Sequence, residues 1–87
     1  MDCDTIIREL EDHIRRRYGI DENDEDFGVD VHLFDYGYVD SIGAAALIAH
    51  IEQTYGVQVT DRDIMLYPMN TIREIARFIE AKRRGER

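Results

Sequence analysis

The sequence predicts an all-α fold, a bundle of three main helices and one short helix with a long first connection. Apolar residues recur at spacings of three and four in three separate segments. Proline occurs once in 87 residues, and no internal repeat or linker composition divides the chain. That length suits one domain over residues 1–87 and is too short for two.

The first helix is expected over 4–18, where Ile6, Ile7, Leu10, Ile14 and Tyr18 share a face and Arg8, Glu11, Asp12 and Arg15 lie largely outside. Gly19 is its natural stop. The segment IDENDEDFGVDVHLFDYGYVD follows without a sustained helical period. A loop that long in so small a domain is functional or pinned by its own apolar residues, here Phe27, Val29, Leu33 and Phe34. The second helix, 41–55, opens at the Asp40-Ser41 pair, either of which can accept from first-turn N–H groups, and ends at Gly56. Ile42, Ala45, Leu47, Ile48, Ile51 and Tyr55 are expected on its buried side and flanks.

After the extended piece VQVT, Thr60 or Asp61 caps a short helix over 61–66, and Pro68 closes that turn. The last helix, 70–83, starts at Asn70 or Thr71, and Ile72, Ile75, Phe78 and Ile79 form its stripe. Its basic end suits the negative pole of a helix C-terminus. The predicted core contains Leu10, Ile14, Leu47, Ile51, Ile64, Ile72, Ile75 and Ile79.

Charge and composition narrow the function. The net charge of -8 argues against nucleic acid and anionic membranes as partners. The acidity lies in the first half, with 13 acidic against 4 basic side chains up to Asp40 and 6 against 7 from Ser41 onward. Cys3 alone can build neither a disulfide framework nor a cysteine metal cluster, which suits a reducing cytoplasm. No stretch reaches the length of a membrane span, and the first residues carry acids where an export signal carries bases.

The candidate chemistry centres on LFDYGYVDSIGAAA, residues 33–46. A hydrolase elbow would need glycine two residues before Ser41, where Val39 stands. No catalytic residue is therefore assigned. A calcium loop starting at Asp21 would need glycine at Asp26 and a bidentate acid at His32, and His13, His32 and His50 lack paired ligand spacing. No metal site is assigned either. Taken alone, Asp40 and Ser41 read as ordinary helix caps. A hydroxyl exposed at a helix start after a long anchored loop also suits a phosphate-bearing group, because such a start presents N–H groups and positive dipole character.

In these residues the sequence resembles the acyl carrier proteins, the phosphopantetheine-dependent carriers. LFDYGYVDSIG matches their attachment signature, EQTYGVQV the end of their second helix and NTIREIARFIEAK their terminal helix. The resemblance implies the acyl-carrier four-helix bundle and a protein that is not itself an enzyme. It implies that Ser41 receives 4'-phosphopantetheine from coenzyme A through a separate transferase that uses magnesium, with Asp40, Ile42 and Gly43 as the signature around it. It also implies an acyl- or aminoacyl-loading ligase and a downstream synthase or transferase as partners, and serving them in turn favours a monomer.

Fatty acid synthesis carriers usually have leucine after the serine and an acidic second helix, whereas here Ile42, Gly43 and three alanines follow and Glu52 is the helix's one acid. The signature is more similar to discrete carriers of small units, such as D-alanyl carriers and those supplying polyketide and nonribosomal peptide assembly. A small, neutral second helix would let a partner backbone approach closely, although alanine is also a good helix former on any solvent face. The rival reading is an acidic helical adaptor or scaffold that binds a protein partner without a cofactor, with Ser41 as a plain cap.

Overall fold

In the computed structural model, which describes residues 2–85, every regular element among those residues is helical: α1 (Cys3–Arg17), α2 (Ser41–Tyr55), α3 (Asp61–Leu66) and α4 (Ile72–Arg83). Asp2 caps α1 by accepting from the Thr5 N–H at 2.9 Å, and Tyr18 closes it, one position before the glycine expected to stop it. Ile6, Leu10 and Ile14, one helical face at intervals of four, are fully buried. Facing them across the core are Ile72, Ile75, Ala76, Phe78 and Ile79 of α4. The α4 helix starts at Ile72 rather than residue 70 because Thr71 and Glu74 close a reciprocal capping box, each side chain accepting from the other's backbone N–H.

The connection from Tyr18 to Asp40 is irregular but pinned. Phe27, Leu33 and Val39 enter the core, while Val29 and Phe34 pack against it half-buried. Two backbone bonds tie it to the start of α4: Leu33 N–H to the Asn70 carbonyl at 2.9 Å and Arg73 N–H to the Val29 carbonyl at 3.0 Å. The Arg73 guanidinium also donates to both carboxylate oxygens of Asp30, at 2.7 and 3.2 Å. The acidic run folds on itself, since Asp21 accepts from Asn23 N–H and Asp24 from Asp26 N–H. Its side chains thus supply turn acceptors to their own backbone.

Three expected inward placements, Ile64, Ile42 and Ala45, are corrected. Ile64 is 49% exposed, as are most of its α3 neighbours. The six-residue helix turns its capping acid inward instead: Asp63 is buried, bonds the Thr60 N–H and accepts from Lys82 Nζ at 3.0 Å. The Thr60 backbone bond, helped by Lys82, holds the Asp63 carboxyl below its ordinary range. Tyr67 then anchors the following turn on Phe78, ring centroids 5.3 Å apart. On α2, Leu47, Ile51 and Tyr55 face inward and Ala44 packs with them, whereas Ile42 and Ala45 point to solvent. At 100° per residue both lie across the helix from the inward face.

Helices α1 and α2 are joined along an antiparallel seam by three side-chain bridges. Tyr55 donates its hydroxyl to Glu9 at 2.9 Å, His13 stacks on His50 with ring centroids 3.5 Å apart and 3° between planes, and Tyr18 donates to the Gly43 carbonyl at 2.7 Å. Burial and the Glu9 bond both raise the Tyr55 hydroxyl's pKa, so it stays a donor. Partial burial lowers the pKa of both histidines, and His13 is pushed further down by His50, Arg16 and Arg17 against the weaker opposite pull of Asp12. A lowered histidine pKa means that the folded chain binds fewer protons than the unfolded one. This stabilisation is complete above the ordinary histidine range and is lost as pH falls through it. The thermal midpoint is expected to fall between pH 7.5 and 5, and His13→Gln with His50→Gln to flatten that slope. Equal slopes for wild type and the double variant would remove the stack from any role in pH response.

Candidate functional site

The segment Val39-Asp40-Ser41-Ile42-Gly43 spans the end of the loop and the first turn of α2. Asp40, in extended conformation, is the cap: its Oδ1 accepts from the Gly43 N–H at 2.7 Å. That settles which of the two candidate residues closes the helix. Ser41 is the first helical residue, exposed, one position inside the cap. Its hydroxyl stands at the positive end of a 15-residue helix, where a phosphodiester would be favoured by the dipole and by first-turn N–H groups. The residues present therefore fit a group joined through phosphate to Ser41.

The four signature residues divide by direction. Ser41 and Ile42 face outward, Ile42 being 83% exposed, while Gly43 turns toward α1 and is half-buried. A Cβ on Gly43 would fall 2.8 Å from Tyr18 Cε1, and 3.2 Å from both Asp40 Oδ1 and Val39 Cγ1. Glycine costs about 1 kcal/mol against alanine inside a helix, and here it makes room for an aromatic ring. Tyr18 and Val39 are site neighbours that the sequence reading did not assign to the site. A glycine inside an apolar helical run was the one available signal, since it marks a close approach.

Beyond Gly43 the inward side of α2 borders an apolar cavity of about 370 Å³. Phe34, Ala44, Leu47, Ile48, Tyr67 and Met69 are among its lining residues, so the loop, α2 and the turn after α3 all contribute walls. Ala44 lies one helical turn from Ser41. On the outward side Ile42, Ala45 and Ala49 make an exposed stripe, and Met65 and Leu66 of α3 are exposed as well.

None of the three histidines enters this segment: His13 and His50 stack on each other in the seam, and His32 accepts the Asp35 N–H through Nδ1 at 3.0 Å. Among the described residues no helix is long and apolar enough to cross a membrane. Comparison with curated proteins finds no match to this chain. The sequence profile of the phosphopantetheine attachment site family, however, matches residues 8–79, from the first turns of α1 to the buried end of α4. With a match over most of its length, an all-helical fold and an exposed serine inside the cap of α2, the chain belongs to the phosphopantetheine attachment site family, whose members carry 4'-phosphopantetheine covalently.

Proposed function

We propose that this protein acts as a carrier, a substrate and shuttle rather than an enzyme, with the arm attached to Ser41. The observation that carries the reading is the division of labour at the start of α2. Asp40 does the capping, which leaves an exposed hydroxyl at a helix N-terminus with no structural task to explain it. When attached, the arm supplies a terminal thiol that holds a cargo as an activated thioester. The chain's own residues do the rest: Asp40 fixes the helix start, Ser41 provides the hydroxyl, and Ile42 and Gly43 face partner and core respectively.

The likeness of the signature to carriers of small units supports a biosynthetic setting such as polyketide or nonribosomal peptide assembly, and two features of the structure bear on cargo and docking. The cavity beside Ala44 has mainly apolar walls, which suit an acyl group better than a charged ammonium. The exposed stripe of Ile42, Ala45 and Ala49 is uncharged, in keeping with a loading ligase or synthase that docks by apolar contact. A phosphopantetheinyl transferase, a loading ligase and a downstream synthase are the partners, and the cytoplasm the compartment, on this reading. Ala45→Glu, on that outward face, is expected to slow ligase loading about tenfold, equivalent to roughly 1.4 kcal/mol of docking energy, with the thermal midpoint unchanged. Unimpaired loading would remove the apolar docking face.

The test of the carrier role is an intact-mass spectrum after incubation with coenzyme A, magnesium and a broad-specificity transferase. The expected result is a gain of one phosphopantetheine group. No gain with several transferases would overturn it in favour of a cofactor-free adaptor or scaffold.

A further inference from the structure

Three constraints meet on Gly43. Its N–H is held by Asp40 at 2.7 Å, its carbonyl oxygen accepts from the Tyr18 hydroxyl at 2.7 Å, and the space where a Cβ would stand is filled by the Tyr18 ring. The same carbonyl is the helical acceptor for the residue four positions on, so the tyrosine uses its second lone pair without breaking the helix. Tyr18 is itself well fixed: it caps α1, packs half-buried against the core, and burial raises the pKa of its hydroxyl. A rigid group on one helix thus grips the backbone of another at its third residue.

We propose that Tyr18 is a positioning residue for arm attachment, setting the rotation of α2's first turn and so the direction in which the Ser41 hydroxyl is offered. Successive residues of a helix turn by 100°, so Ser41 lies about 200° round the axis from Gly43. Holding Gly43 against α1 therefore holds Ser41 outward. A rotation of about 15° moves a group roughly 5 Å from the helix axis by about 1 Å, and misplacement on that scale costs up to about a hundredfold in rate. The inference rests on Ser41 being the attachment residue.

The seam provides its own control. Tyr18→Phe and Tyr55→Phe each delete one seam hydroxyl, the first beside Ser41 and the second at the far end of α2. Both conservative changes keep the ring, and thermal melts establish that both variants are folded at the assay temperature. Steady-state kinetics of phosphopantetheine transfer from coenzyme A then separate the roles. Tyr18→Phe is expected to lower kcat about three- to tenfold with KM little changed, because the docking surface is intact and only the hydroxyl's direction is lost. Tyr55→Phe is expected to transfer at the wild-type rate. Equal rates for the two variants, whether both normal or both reduced, would overturn the positioning role and leave Tyr18 a packing residue. A wild-type protein that gains no arm would instead overturn the attachment reading beneath it.

Discussion

Ser41→Ala is expected to abolish phosphopantetheine attachment completely while leaving the fold nearly untouched. Both halves of that result follow from the start of α2. The mass gain disappears because no other hydroxyl stands beside it in the first turn, and a transferase cannot modify a methyl group. The stability cost is small, within about 0.5 kcal/mol, because Ser41 is an exposed residue whose helix is capped by its neighbour. Asp40→Ala should show the opposite balance: loss of the bond to the Gly43 N–H costs about 1 kcal/mol while the Ser41 hydroxyl is still present. Intact-mass spectra and thermal melts of the two variants, run together, check the assignment. An arm retained in Ser41→Ala would show that attachment occurs elsewhere.

Phe78→Ala should be the most damaging single truncation of the fold. Phe78 of α4 is almost fully buried, stacks obliquely on Tyr67 and lies under the Lys82 ammonium, 5.8 Å from the ring centroid. Removing it loses the transfer energy of the ring and leaves a void that a close-packed core relaxes into incompletely, costing about 3–5 kcal/mol. Small domains have about 5–15 kcal/mol of stability in total, so the variant should unfold at markedly lower urea concentration. Ile64→Ala is the contrasting case. Although isoleucine in an apolar run reads as core, its exposure here limits the expected loss to about 1 kcal/mol or less. A larger loss for Ile64→Ala than for Phe78→Ala would overturn the observed orientation of α3.

That contrast shows which parts of the molecule were legible in the sequence. The stripes Ile6, Leu10, Ile14 and Ile72, Ile75, Phe78, Ile79 were readable because polar residues separate them and fix the phase of the helix. In α2 the run from Ile42 to Ile51 is apolar nearly all round, so the period located the helix but did not set its rotation. Hence the pattern points Ala45 inward, whereas Ala44 is the one that packs. Ile64, Met65 and Leu66 are consecutive and offer no period at all, and the long-range pair Asp63–Lys82 that holds the inward side of α3 leaves no local pattern. The burial of Val39 is not legible for the same reason, since a loop residue has no repeat to reveal its direction. The signature itself was legible because its residues are contiguous, whereas Tyr18 reaches it from another helix.

The clamp between the long connection and the start of α4 also sets the order in which the chain can assemble. Helices form within about a microsecond once their residues are free to do so, because their contacts are local. The Val29–Arg73 and Leu33–Asn70 bonds instead join residues roughly forty positions apart and require a large ring of chain to close first. The connection that leads into Ser41 therefore cannot settle on these ties before the start of α4 reaches it. A chain whose terminal helix is undocked lacks both of these ties, so the segment that precedes α2 loses its hold on the rest of the fold.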